Sequence, residues 1–141
     1  MNVKRKPRVL IGKIGLDGHT TGIYVVSKAL SDAGFEVIFG GIRLTPGQVA
    51  STALQESVDL IGISSLSGAH MTVVKNLIKV LKEKHIDRVP IVIGGIIPPE
   101  DITKLKSMGV LDVFTPGTST ADIVARVKRA VDANAHEGRH A

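Results

Sequence analysis

Five short apolar runs alternate with five segments of helical spacing, and this alternation constrains the fold more than any other feature of the sequence. The apolar runs are the predicted strands: Arg8–Ile14, Glu36–Gly40, Leu60–Ser64, Pro90–Gly94 and Leu111–Thr115. The helical segments are Gly22–Ala33, Thr45–Ser57, Met71–Lys84, Pro99–Met108 and Thr120–Ala133. Strict alternation gives βα units with right-handed crossovers. The sequence therefore predicts a doubly wound, five-stranded parallel α/β sheet with helices on both faces, Rossmann-like, with the flavodoxin-type strand order.

Composition limits both the core and the chemistry of any site. Hydrophobic residues make up 43% of the 141 residues but aromatic residues only 3%, so the core consists of Val, Ile, Leu and Ala. The absence of cysteine excludes disulfides, thiolate metal ligands and cysteine nucleophiles, and we expect a cytoplasmic protein. The length suits one domain. We expect that domain at residues 8–134, with a basic flexible tail at 1–7 and a second flexible tail at 135–141.

The net charge of +5 does not indicate nucleic acid or a membrane as a partner. Basic residues crowd residues 4–8, whereas the others are spread among acids, and with Tyr24 as the single tyrosine and no tryptophan there is no platform for stacking bases. The uncharged stretch "VPIVIGGIIPP" is too short to cross a bilayer. Lys13 interrupts the first apolar run too early for a secretory signal.

Loops rich in Gly, Ser and Thr follow four of the predicted strands: "GLDGHTTG", "SSLSGAH", "GGIIPP" and "TPGTST". Ligands of open α/β sheets bind beyond the carboxyl ends of the strands, so these loops predict a large ligand lying across one edge. Taken singly, each has an ordinary explanation, such as a glycine turn, a helix cap at Asp17 or a backbone-bonded Ser64. Neither GxGxxG nor GxxxxGK[ST] is present, so dinucleotide and Walker-type sites are unsupported.

Lys13, Asp17 and His19 form a more specific combination in "KIGLDGHTTG". A histidine that binds a metal typically donates its other ring N–H to a carboxylate, which Asp17 can supply, and Lys13 can pair with Asp17 in turn. One histidine cannot hold a bare zinc or iron, which need three or four protein ligands. The metal would have to arrive already held in a macrocycle.

At these residues the sequence resembles the cobalamin-binding domain of the methylmalonyl-CoA mutase family. "DGHTTG" fits the DxHxxG signature, "SSL" fits SxL, and "GG" at 94–95 completes the set. The resemblance extends over about Arg8 to Arg129, and "GGIIPPEDITKLKSMGV" and "FTPGT" are similar to the acyl-CoA mutase branch. Thr20 and Thr21 stand where that branch commonly has an acidic residue and an arginine.

The resemblance implies a site for adenosylcobalamin, the cobalt-containing coenzyme B12. His19 would replace the cofactor's benzimidazole as the lower cobalt ligand, and Lys13, Asp17 and His19 would form a hydrogen-bonded chain behind the cobalt. The nucleotide tail would enter the domain beside Ser64, with Phe114, Thr115 and Thr118 at the far end of the groove. The implied cofactor-binding residues are Asp17, Gly18, His19, Thr21, Gly22, Val26, Ser64, Leu66, Gly68, Gly94, Gly95, Phe114, Thr115 and Thr118.

The implied function is that of the small subunit of a two-subunit acyl-CoA mutase, an isomerase that rearranges a carbon skeleton by radical chemistry. The resemblance also implies that no residue of this chain is a direct catalyst and that a separate large barrel subunit binds acyl-CoA, in a heterodimer or heterotetramer. Methylmalonyl-CoA, 2-hydroxyisobutyryl-CoA and other branched acyl-CoAs remain open as substrates. The alternatives are a glutamate-mutase-type small subunit and a non-catalytic cobalamin carrier or sensor. A receiver domain is disfavoured because Ser64 and Ser65 follow strand three, where receivers carry an aspartate.

Overall fold

The computed structural model describes residues 6–14, 21–64 and 70–138. In these ranges five strands alternate with five helices, as the apolar pattern predicts. The strands are β1 (Arg8–Ile14), β2 (Glu36–Leu44), β3 (Leu60–Ser64), β4 (Ile91–Gly94) and β5 (Asp112–Phe114). The helices are α1 (Thr21–Asp32), α2 (Pro46–Glu56), α3 (His70–Glu83), α4 (Pro99–Met108) and α5 (Thr120–Gly138).

The strands form one parallel sheet in the order β2-β1-β3-β4-β5, which confirms the predicted doubly wound fold with flavodoxin-type order. The chain leaves β1 toward β2 on one side and later returns to β3 on the other, so the strand order reverses beside β1. At the carboxyl edge Lys13 lies opposite Ser64, Ser64 opposite Gly94, and Gly94 opposite Phe114. Residues from four predicted loops or strand ends therefore form one row across the sheet.

Each face of the sheet carries its own apolar core. Successive strand residues point to opposite faces. Leu10, Ile61 and Ile93 pack with α2, α3 and α4 on one face. Val9 and Leu60 pack with α1 and α5 on the other. Period-2 alternation of this kind also puts Lys13 on the α1/α5 face, two residues after Ile11.

Two elements extend beyond their predicted ends. The sequence predicts that β2 stops at Gly40, but it continues to Leu44, because a register shift at Gly41, where φ is 115°, lets the edge strand resume its pairing with β1. The prediction also ends the last helix at Ala133, five residues before its observed end at Gly138. The remaining elements begin and end within two residues of prediction.

Two of the helices, α2 and α4, begin in different ways. At α2, Thr45 Oγ1 accepts a bond from the Gln48 N–H, and the Gln48 side chain accepts from the Thr45 N–H, which is a complete capping box. At α4 the N-cap is Pro98, which makes no side-chain cap bond. No helix in the described part of the chain is long and apolar enough to span a bilayer.

Candidate functional site

A cavity of about 520 Å³ lies between α1, α5 and the sheet. Its upper lining comes from the carboxyl edge of the sheet, including Ser64 and Gly94. It extends down to Val9 and Leu60 on the strands and to Val127 on α5. This size is typical of a site for a small organic ligand, and the mixture of an apolar wall with a few hydroxyl groups is also typical.

Eight of the residues singled out from the sequence line this single cavity. They come from α1, from the ends of β3, β4 and β5, and from the loop that precedes α5: Gly22, Val26, Ser64, Gly94, Gly95, Phe114, Thr115 and Thr118. Gly22 and Thr118, which are 96 positions apart in sequence, thus line the same cavity. The residues come together because parallel strands bring their carboxyl ends to the same edge of the sheet. The cavity therefore lies beside the strand ends from which the predicted ligand-binding loops depart.

Five further predicted residues lie outside the described part of the chain: Asp17, Gly18, His19, Leu66 and Gly68. Thr21 is described as the first residue of α1 by its backbone alone. The proposed lower ligand of cobalt, His19, and its proposed carboxylate partner, Asp17, accordingly stay predictions.

Two glycines that line the cavity, Gly22 and Gly62, differ in what an added side chain would contact. At Gly22 an added Cβ would meet nothing within 4 Å, whereas at Gly62 it would lie 2.7 Å from Ile11 Cδ1. Gly62 lines the cavity floor, yet sequence reasoning overlooked it. The available signal was a glycine in the middle of the apolar strand "LIGIS", since an interior strand glycine often marks a close approach by another group.

Lys13 is fully buried, with 0% of its surface exposed. Lysine is almost never fully buried unless it is paired. Alternation along β1 puts Lys13 on the α1/α5 face, and its Cα lies opposite that of Ser64 at the edge where β1 ends, four residues before Asp17 in sequence. The position is therefore compatible with the predicted role of Lys13 behind a ligand-bearing loop.

Arg126 joins α5 to β5 beside the cavity through an ion pair with Asp112. Its guanidinium forms a two-pronged ion pair with Asp112, contacts Asp122 at 3.2 Å, and lies 4.6 Å from the ring centroid of Phe114. Burial opposes ionisation of Asp112, but the bonds from Arg126 and from the Val113 N–H outweigh it and hold the pKa of that carboxyl below its usual value. The aromatic wall at Phe114 is thus held in place by a charged clamp.

The loop before α5 is a tight turn. The Thr118 hydroxyl donates to the Thr115 carbonyl at 2.8 Å, and Gly117 between them has φ of 95°. Ser119 Oγ then accepts from the Asp122 N–H at the start of α5. These bonds fix the two threonines of the cavity rim without help from a ligand.

His70 and Lys13 are the two buried polar side chains among the described residues. His70 Nε2 lies 2.9 Å from Asp101 Oδ2, and 4% of the residue is exposed. Its buried Nδ1 has no hydrogen-bond partner among the described residues, and an unpaired buried group of this kind costs about 1–3 kcal/mol. His70 is the last residue of the stretch "SSLSGAH", whereas its partner Asp101 belongs to a different helix, so local sequence does not indicate their contact.

The described part of the site suits a flat, largely apolar group with few polar atoms. Bare backbone at Gly22 and Gly94 leaves space for the group, and Ser64 offers a hydroxyl at the edge. The benzimidazole base at the end of cobalamin's nucleotide tail has this character, so the residues present fit that base. A covering of apolar side chains from α1 and α5 would keep water from it.

Comparison with known proteins gives a consistent picture. The family described as "B12 binding domain" matches residues 7–125. The 2-hydroxyisobutanoyl-CoA mutase small subunit of Aquincola tertiaricarbonis is 40% identical over 126 residues, which are 89% of this chain and 93% of that protein. The ethylmalonyl-CoA mutase of Methylorubrum extorquens is also 40% identical, over 92% of this chain but 20% of its own length. The methylmalonyl-CoA mutase large subunit of Streptomyces virginiae is 42% identical over 84% of this chain and 16% of its own length.

Among solved structures, the cobalamin-binding protein of Desulfitobacterium hafniense superimposes with a TM-score of 0.76 at 19% identity, covering 89% of this chain and 59% of that one. The receiver domain of a LuxO repressor protein from Vibrio parahaemolyticus gives 0.74 at 12% identity, covering 94% and 95%. At these identities the structural likeness establishes the fold alone. With the sequence motifs, the cavity and a family match over most of its length, the chain belongs to the B12-binding domain family.

Proposed function

We propose that this chain is the adenosylcobalamin-binding small subunit of an acyl-CoA mutase, an isomerase, and that it acts with a separate large subunit that holds the acyl-CoA. The observation that carries the proposal is the cavity between α1, α5 and the sheet, whose lining includes eight of the predicted cofactor-binding residues. The match to most of a mutase small subunit supports the assignment of subunit.

The cavity holds the nucleotide tail of the cofactor. Ser64 would donate a hydrogen bond from its hydroxyl to the benzimidazole nitrogen, which would keep that nitrogen from being buried without a partner. Gly94 and Gly95 offer bare backbone beside the tail, and Gly22 and Val26 cover it from α1. Leu66 and Gly68 complete the binding residues in the loop after β3, while Phe114, Thr115 and Thr118 close the far end.

His19 would hold the cobalt, and Gly18 beside it and Thr21 at the start of α1 would also bind the cofactor. Asp17 accepts the second ring N–H of His19 and fixes its tautomer. Lys13 pairs with Asp17 and moderates the negative charge that reaches the imidazole. The complete burial of Lys13 supports this role, because a fully buried ammonium requires a partner at close range.

When bound, the cofactor supplies a cobalt–carbon bond whose cleavage starts radical chemistry. The residues of this chain bind, orient and shield it. The large subunit, a barrel, supplies the acyl-CoA site in a cytoplasmic heterodimer or heterotetramer. Methylmalonyl-CoA, 2-hydroxyisobutyryl-CoA and ethylmalonyl-CoA are the leading substrates, since mutases named for these acyl groups are among the relatives.

An activity screen tests this function. The purified chain, a candidate large subunit and adenosylcobalamin are combined with several branched acyl-CoA isomers, and product formation is followed by chromatography. We expect isomerisation of one acyl-CoA by the pair and none by either subunit alone. Binding of the cofactor with no turnover by any pair would favour the carrier alternative, and turnover by this chain alone would contradict the division of roles.

A further inference from the structure

His70 and Asp101 join the beginnings of two neighbouring helices. His70 is the first residue of α3, and Asp101 lies in the first turn of α4. Their side chains meet at 2.9 Å, between Nε2 and Oδ2, and 5% of the histidine side chain and 22% of the aspartate side chain are exposed. The contact spans 31 residues of sequence, so it fixes the relative position of segments that the chain itself does not hold together.

The carboxylate of Asp101 is free for this contact because of the residue that begins α4. An acidic or amide side chain at the third helical position usually accepts the N–H of the N-cap residue, as Gln48 does from Thr45 in α2. In α4 the N-cap is Pro98, which has no N–H. Asp101 therefore cannot close a capping box and reaches His70 instead.

The buried Nδ1 of His70 indicates that the imidazole does more than fill space. Nδ1 has no hydrogen-bond partner in the part of the chain that the structure describes, so the side chain carries a polar atom at a cost that leucine would avoid. In contrast to leucine, the imidazole forms a hydrogen bond with Asp101. A residue selected only for packing at this site would not need that bond.

Each helix is the next element along the chain after a strand that lines the cavity. Ser64 ends β3 and Gly94 ends β4, and the two are paired in register. Beyond Gly94 the chain is anchored by the Gly95 N–H, which donates to the Phe114 carbonyl at 3.1 Å, and by Ile97, which is buried. The contact between Asp101 and His70 is the next anchor along this connection, and it joins the connection to α3.

We propose that His70 and Asp101 are positioning residues for the nucleotide tail: their contact holds the starts of α3 and α4 at the spacing that keeps Ser64 and the Gly94–Gly95 backbone side by side at the cavity wall. The inference rests on the proposed binding of cobalamin. It assigns a role to a pair that touches neither the cobalt nor the substrate.

The test compares two forms of the cofactor that differ only in the tail. Dissociation constants of adenosylcobalamin and of adenosylcobinamide, which lacks the nucleotide, are measured for the wild-type chain, His70→Leu and Asp101→Ala. We expect both variants to bind adenosylcobalamin about tenfold more weakly, the equivalent of one hydrogen bond, with less than about a twofold change for adenosylcobinamide. Asp101→Asn, whose amide oxygen can still accept from Nε2, should restore most of the affinity.

Asp32→Ala is the matched control, because it removes a carboxylate from an exposed ion pair with Lys28 on α1. It should change neither constant. Equal losses for the two cofactor forms, or no loss with Asp101→Ala, would overturn the positioning role. Failure of the wild-type chain to bind adenosylcobalamin would instead overturn the proposed function, and the two failures are thereby distinguished. Thermal melting of each variant confirms that it is folded.

Discussion

Gly22, Gly62 and Gly94 all bring bare backbone to the cavity, but they differ in what a side chain would meet. At Gly62 a Cβ would collide with Ile11, and at Gly94 its nearest neighbour would be the Phe114 carbonyl at 3.7 Å. At Gly22 it would meet nothing. Gly22 precedes Val26 by one helical turn, so both lie on the helix face toward the cavity. Stability and ligand binding can therefore be separated at Gly22.

Gly22→Leu should weaken binding of adenosylcobalamin at least about tenfold without destabilising the fold. Leucine would occupy space at the cavity wall and so weaken binding. It should not destabilise the helix, because glycine inside a helix costs about 0.5–1 kcal/mol relative to good helix formers. Gly47→Leu is the matched control, because Gly47 is likewise the second residue of its helix, α2, and is not part of the cavity. Titration and thermal melting of both variants check this expectation. Equal affinity in the two variants would contradict the placement of the tail.

At the scale of secondary-structure elements, the clamp between Arg126 and Asp112 joins α5 to β5. The pKa of Asp112 is lowered in the folded chain, so its ionised form stabilises the fold above the ordinary aspartate pKa of about 3.9 and that contribution is lost as the pH falls. Asp112→Asn should lower the free energy of unfolding by about 1.5–3 kcal/mol at neutral pH, the range for hydrogen bonds to charged groups. The difference should shrink at about pH 3.

Urea unfolding at both pH values measures this effect. Asp32→Asn, which alters the exposed pair with Lys28, should cost no more than about 0.5 kcal/mol, as expected for an exposed ion pair one helical turn apart. A constant difference for Asp112→Asn at both pH values would show that its charge is not what fastens α5.

Sequence patterns predicted the elements well where each one carries its own signal. β1, β3 and α4 have the bounds that their apolar runs and helix start indicate. β2 was predicted too short, because Gly40 and Gly41 resemble a turn until the neighbouring strand supplies partners across a bulge. The contact of His70 with Asp101 and the role of Gly62 were not predicted, since both depend on which elements become neighbours and not on local spacing.

For the molecule as a whole, the carboxyl edge of the sheet is where the two parts of the proposed cofactor site would meet. Lys13, Ser64, Gly94 and Phe114 form one row there, and Ser64, Gly94 and Phe114 also line the cavity. If the cofactor's own base lies in the cavity, its nitrogen cannot also bind cobalt, and the lower position falls to His19. Insertion of the cofactor's tail into the cavity and binding of cobalt by His19 therefore depend on each other.

Electron paramagnetic resonance of the bound cob(II)alamin form tests that claim most directly. The unpaired electron couples to the nitrogen in the lower position, so an ordinary ¹⁴N ligand splits each line into three and a ¹⁵N ligand into two. In protein labelled only at histidine with ¹⁵N, we predict doublets, and we predict loss of this splitting in His19→Ala. Triplets that persist in the labelled protein would mean that the cofactor's base still binds cobalt, and would contradict both the ligand and the occupied cavity.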